Sequence, residues 1–167
     1  MRVLAIADTH IRRNTRRRLP DRVWHEAGQS DVILHAGDVL VPEVLDQLGG
    51  YAPVHAVAGN NDPELVDALP VTRTLDLAGL RVGLVHDSGR TQGRERRLRR
   101  WFPDCDLVVF GHSHVPVNTE GDEGQWLLNP GSPTERRRQP NHTVATFEVA
   151  GGRLVTPHVI VVDAPTT

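Results

Sequence analysis

The sequence predicts an α/β fold: a sheet flanked by helices, with its chemistry at the C-terminal ends of the strands. Three observations support this. Short apolar runs recur and stop abruptly at polar residues, the pattern of strands buried on both faces. Segments of helical length separate the first runs, which gives β-α-β alternation. Further strand-like segments, punctuated by Gly and Pro, fill the second half.

Residues 2–7 form the first apolar run and end at Asp8. Residues 31–36 end at Gly37-Asp38, residues 54–58 at Gly59-Asn60, and residues 107–110 at Gly111-His112. Helices are expected at about residues 19–28 and 41–49. Residues 72–77 and 80–86 read as a hairpin joined at Ala78-Gly79, with His86 at the end of its second strand. An arginine-rich amphipathic helix is expected over residues 91–101, with Leu98 and Trp101 three apart on one face. Residues 126–129, 143–149 and 153–162 complete the strands, the last two joined at Gly151-Gly152. Residues 12–18, 117–124 and 134–142 read as loops.

At 167 residues and 18.5 kDa the chain is expected to form a single domain over residues 1–167, because two halves would each bury too little surface. A net charge of -2 supplies no pull towards a polyanion, and an aromatic content of 4% offers few platforms for stacking bases. No stable nucleic-acid partner is therefore expected. No apolar stretch is long enough for a signal peptide or a membrane span, and the lone Cys105 beside an apolar run reads as a packed thiol. Both point to a cytoplasmic protein with no membrane partner. All 19 basic residues are arginine, which reads as a compositional bias. The triplets at 16–18 and 136–138 read as solvated charge, with a border on the substrate cleft as the alternative.

Five polar clusters sit at the ends of apolar runs: Asp8-Thr9-His10, Gly37-Asp38, Gly59-Asn60-Asn61-Asp62, Val85-His86 and Gly111-His112-Ser113-His114. Strand C-termini meet at one edge of an α/β sheet, so clusters distant in sequence can share one crevice. Carboxylate, carboxamide and imidazole ligands without thiolate suit manganese, iron, zinc, cobalt or nickel better than a structural zinc-thiolate site. Two such ions about 3.5–4 Å apart can share a hydroxide and stabilise an in-line phosphoryl displacement. His25, His35, His55 and His158 lie inside expected helices or strands and read as packed or surface residues, and His142 has no assigned role.

These clusters, in this order, resemble the five motif blocks of the calcineurin-like metallophosphoesterases. The chain length and the segment Asn129-Pro130-Gly131-Ser132 resemble the small bacterial and archaeal phosphodiesterase branch. The resemblance implies a two-sheet β-sandwich flanked by α-helices. It also implies that Asp8, His10 and His114 hold one metal, that Asn60, His86 and His112 hold the second, and that Asp38 bridges both. Manganese is the first expectation, with nickel, iron, zinc or cobalt as alternatives. The implied activity is hydrolysis of a small phosphate ester, foremost a phosphodiester, by a metal-bridging hydroxide, with Asn60 and Asn61 as candidate catalytic residues. Two residues depart from the pattern. Asn61 stands where many relatives carry a histidine that can protonate a leaving alkoxide, and Asp87 stands where glycine is usual. A protein-binding scaffold of the retromer-subunit type and a nucleotide pyrophosphohydrolase are the alternative functions. Sequence leaves the oligomeric state open.

Overall fold

The computed structural model describes residues 1–163. In chain order its first half contains β1 (Arg2–Ile6), α1 (Asp21–Ala27), β2 (Val32–His35), α2 (Pro42–Gly49), β3 (Val54–Ala56), β4 (Thr72–Leu77) and β5 (Leu80–Val85). There follow α3 (Arg94–Trp101), β6 (Leu107–Val109), β7 (Val117–Glu120), β8 (Trp126–Asn129), β9 (Thr143–Ala150) and β10 (Arg153–Val161). The strands form two mixed five-stranded sheets, ordered β10-β9-β1-β2-β3 and β4-β5-β6-β8-β7.

Alternation within the apolar runs explains why both faces of each sheet are buried. In β1, Val3 and Ala5 face the second sheet, where they meet Val82, Leu84, Leu107 and Val109. Leu4 and Ile6 point the other way, onto Val23 and Ala27 of α1 and Val44 and Leu48 of α2. On the outer face of the second sheet, Val108 and Phe110 pack with Leu98 and Phe102. The result is a β-sandwich with helices on both outer faces, as the motif resemblance implied.

Parallel pairing of β1 with β2 and of β2 with β3 brings Ile6, His35 and Ala56 into one register. The loops that follow these strands carry Asp8, Asp38 and Asn60. In the second sheet, β5 and β6 are also parallel, with Leu84 opposite Val109, so His86 and His112 leave the same edge.

Several elements differ from expectation. The third helix begins at Arg94 rather than residue 91, because Gly93 adopts a left-handed φ of 69° ahead of it. Trp101 does not share the buried face of Leu98: it is 44% exposed, and Phe102 takes the inner place. Strands β3 and β6 are shorter than their apolar runs. Residues 117–120, expected as loop, form the edge strand β7, which pairs antiparallel with β8. Its residues are largely exposed and polar, so no apolar alternation marks it. Asn118 secures this strand, accepting a hydrogen bond from Trp126 Nε1 and donating one to the Pro157 carbonyl.

Candidate metal centre

The candidate ligands sit in the segments that follow their strands. Asp8, His10, Asp38, His112 and His114 all have φ between 44° and 68°, a left-handed conformation that costs a residue with a Cβ about 1–3 kcal/mol. Concentrated strain of this kind persists only where surrounding contacts hold it. Glycine supplies the space. A Cβ on Gly59 would lie 2.2 Å from Asp38 Oδ1, and one on Gly37, itself at φ 85°, would lie 2.7 Å from His86 Nδ1.

The seven sequence-predicted residues converge. His10 Nε2 and His114 Nε2 are 3.1 Å apart, and Asp8 Oδ1 lies 3.4 Å from His114 Nε2 and 3.9 Å from His10 Nε2. Beside this group, Asn60 Oδ1 is 3.0 Å from both His86 Nε2 and His112 Nδ1, which are 3.3 Å from each other. Asp38 stands between the two groups. Its Oδ2 is 3.4 Å from His10 Nε2 and its Oδ1 is 3.4 Å from His86 Nε2. By mutual proximity of their acidic and imidazole groups alone, Asp8-His10-His114 and Asp8-Asp38-His86 are, among the described residues, the two clusters that could each hold an ion. Asp8 is common to both clusters, while Asp38 spans them through its two oxygens.

The donor chemistry fits divalent cations. Ligands at about 2.0–2.2 Å around one ion are separated from one another by roughly 3.0–3.5 Å, close to the spacings here. His86 Nδ1 donates to the Ala36 carbonyl at 2.8 Å, and His114 Nδ1 donates to the Glu135 carbonyl. A carbonyl only accepts, so these bonds fix the tautomers and leave both Nε2 atoms as bare lone pairs in the neutral rings. The His86 Nε2 lone pair therefore faces the Asn60 carboxamide oxygen at 3.0 Å, an arrangement that calls for a cation. Asp8 Oδ2 is buried with no hydrogen-bond partner among the described residues.

The electrostatics point the same way. Burial pulls the His10 imidazole below its ordinary range against the opposing pull of Asp38 and Asp8. At Asp38 burial favours the neutral acid, but His86, when its ring is protonated, and the hydrogen bonds from Asn61 outweigh it and hold the carboxyl well below the usual carboxylate range. At His86 burial lowers the pKa, and the Asp38 and Asp8 carboxylates more than reverse that. Buried negative charge thus attracts a proton or a metal to the same Nε2 atom.

Sequence reasoning assigned no role to several residues that build this centre. The buried Asp62 carboxylate accepts backbone N–H bonds from Asp38 (2.9 Å), Leu40 (2.7 Å) and Gly59 (2.7 Å), tying two ligand loops together. Its place in the Gly-Asn-x-Asp cluster was the available signal. Ser132 Oγ donates to the Asp8 carbonyl at 2.7 Å and accepts from Glu135 N–H, and Asn129 Nδ2 donates to the Gly111 carbonyl at 2.9 Å. The Asn-Pro-Gly-Ser segment thereby braces the first and fifth clusters. Asp87 Oδ1 accepts from Gly89 N–H within its own turn, outside both ligand groups. His35 is fully buried behind Thr9, His25 lies in α1, His55 in β3 and His158 in β10, and none joins the clusters. His142 pairs with Asp163 instead. In the triplets, Arg17 binds Glu135 and the His10 carbonyl, and Arg137 binds the His112 carbonyl, so both border the centre.

The strand ends of both sheets thus gather aspartate, asparagine and histidine into one centre fit for metal. The chain belongs to the calcineurin-like phosphoesterase superfamily, whose domain it matches over residues 1–152. It is 35% identical over 139 residues to a probable metallophosphoesterase of Methanothermobacter thermautotrophicus, covering 82% of this chain and 80% of that one. It is also 35% identical over 140 residues to a probable metallophosphoesterase of Methanocaldococcus jannaschii, covering 82% and 70%. Among solved structures it is similar to Vps29 from Entamoeba histolytica complexed with Zn²⁺, with TM-score 0.75, 22% identity and coverage of 98% and 100%. That last likeness is one of fold.

Proposed function

We propose that this protein hydrolyses phosphodiesters with two divalent metal ions. The observation that carries the proposal is the pair of ligand groups spanned by Asp38, one oxygen towards His10 and the other towards His86. Asp8, His10 and His114 would hold one ion, Asn60, His86 and His112 the other, and Asp38 would bridge them. When bound, such ions supply an activated water and offset the charge that develops on phosphoryl oxygens. The ligand atoms are oxygen and nitrogen throughout, which suits manganese, nickel, iron, zinc or cobalt, and manganese is the ion we propose first. The similarly folded Entamoeba protein is complexed with Zn²⁺, a divalent ion of the class proposed here.

The chain's own residues orient the reaction. The Ala36 and Glu135 carbonyls accept the Nδ1 protons of His86 and His114 and so turn both Nε2 atoms towards the site, and Asn61 fixes Asp38. Asn61 carries no titratable proton, so a leaving group that departs beside it must do so without protonation from that side chain. Activated or acidic leaving groups are therefore favoured over simple alkoxides. The similarity of the motifs to the small phosphodiesterase branch supports diesters as the substrate class. The buried, unpaired Cys105 accords with a reducing, cytoplasmic setting, and no helix among the described residues is long and apolar enough to cross a membrane.

Turnover should be measured against aryl phosphodiesters, cyclic nucleotides and phosphomonoesters, with manganese, nickel, iron and zinc compared. Preference for diesters is expected. A pure monoesterase profile would overturn the substrate class, and no turnover by fully metal-loaded protein would favour a binding scaffold.

A further inference from the structure

Three consecutive carbonyls of the first ligand cluster each accept a side-chain hydrogen bond. Ser132 Oγ donates to the Asp8 carbonyl at 2.7 Å, and Thr134 Oγ1 donates to the Thr9 carbonyl, both from the segment that follows β8. The third donor is different. The His10 carbonyl accepts from Arg17 Nη1 at 3.2 Å, and the same nitrogen donates to Glu135 Oε2 at 2.8 Å. A guanidinium Nη1 carries two protons, so it makes both bonds at once. Glu135 in turn offers its main-chain carbonyl to His114 Nδ1. One guanidinium thus joins the backbone of His10 to the residue that orients His114.

The tie falls where strain has to be held. His10 has φ 44°, a left-handed conformation that persists only where surrounding contacts fix it. Its N–H donates to the Asp38 carbonyl at 3.0 Å, and its carbonyl is held by Arg17. The side chains of Asp8 and His114 are fully buried, whereas that of His10 is 11% exposed, so packing encloses His10 least of the three. The second ligand group has no such ion pair behind it: Arg137 Nη1 donates to the His112 carbonyl at 3.2 Å but meets no carboxylate among the described residues.

We infer that Arg17 and Glu135 form a clamp that positions His10 against His114 and so sets the affinity of the first metal ion rather than the second. This rests on the metal-dependent phosphoesterase reading above and deepens it. Both are positioning residues, since Glu135 lies outside the ligand clusters and a guanidinium, always protonated, offers no lone pair to an ion. Both side chains are 37% exposed, so the pair adds little to global stability, and its removal should loosen the site without unfolding the chain.

Charge and position have to be separated. Removing Arg17 alone takes a positive charge from beside the site, which favours a cation, while the loosening of His10 opposes it. Removing both partners leaves the net charge unchanged, so the double variant Arg17→Ala with Glu135→Ala reports position alone. It also keeps the carbonyl that His114 uses, because that group belongs to the backbone.

Titration of the metal-free protein with manganese, followed by calorimetry, tests the clamp, and His10→Ala identifies the binding step that belongs to the first ion. In the double variant that step should weaken roughly three- to tenfold, less than for a partner that touches a ligand side chain directly, and the other step should stay within about twofold. An unchanged first step, or equal weakening of both, overturns the clamp and leaves the phosphoesterase reading intact. A wild type that binds no ion overturns that reading instead. The clamp is then decided by NMR of the metal-free protein, in which the His114 Nδ1 proton should exchange with solvent faster in the double variant, and an equal rate overturns it.

Discussion

Asn61 grips Asp38 at both carboxylate oxygens: its backbone N–H donates to Oδ1 and its carboxamide to Oδ2, each at 2.8 Å. The second bond orients the oxygen that faces His10. The residue that breaks the family pattern therefore acts as a positioning residue for the proposed bridging ligand. Its removal should be felt in metal affinity as well as in rate.

Asn61→Ala keeps the backbone bond and loses the other. Metal affinity, read by calorimetric titration, should fall roughly ten- to hundredfold, the usual effect of losing an outer-shell partner. Asn61→His restores a proton donor at this place. It should raise turnover of alkyl diesters relative to aryl diesters, by up to about a hundredfold for general-acid assistance. An unchanged ratio would show that this side chain does not face the leaving group.

Asp62 is the strut between the Asp38 and Asn60 loops. Asp62→Ala would strand three backbone N–H groups in a buried place, and each unsatisfied group costs about 1–3 kcal/mol. Chemical denaturation should show a loss of at least about 3 kcal/mol. Asp62→Asn keeps an acceptor oxygen and should lose less. Equal losses in the two variants would mean that the contacts are not the source of the stability.

His35 makes stability depend on pH. Burial first, and then the charge of His86, push its imidazole down to about 3 from an ordinary 6.5. Between these values the unfolded chain binds a proton that the folded protein refuses, so stability falls as pH falls. The slope is roughly 1.4 kcal/mol per pH unit. His86 has the opposite sign, since its raised pKa favours the protonated folded form as pH falls. The His35 component is isolated by comparing chelator-treated wild type with His35→Leu: the variant's stability should decline less steeply below pH 6.5. Parallel curves would contradict the assignment.

The five clusters were legible in the sequence because a strand buried on both faces is written as a continuous apolar run, and the ligand that ends it is conspicuous. Asp8, Asp38 and His112 stand out for this reason. The carbonyls of Ala36 and Glu135, which fix the tautomers of His86 and His114, were not legible, since every residue carries a carbonyl. Strand β7 was hidden because an edge strand stabilised by backbone pairing and exposed polar side chains lacks hydrophobic alternation. Trp101 misled because helical spacing places a residue on a face, whereas the chain's turn into Phe102 decides which ring is buried.

The central claim is a dinuclear centre bridged by Asp38, and the most direct test is the number of ions bound per chain. The protein should be equilibrated with manganese, freed of loosely held metal and assayed by elemental analysis, beside Asp38→Ala and Asp38→Asn. The expected result is two ions per wild-type chain, with at least one lost in each variant. No more than one ion in the wild type, or two retained without the Asp38 carboxylate, would contradict the account.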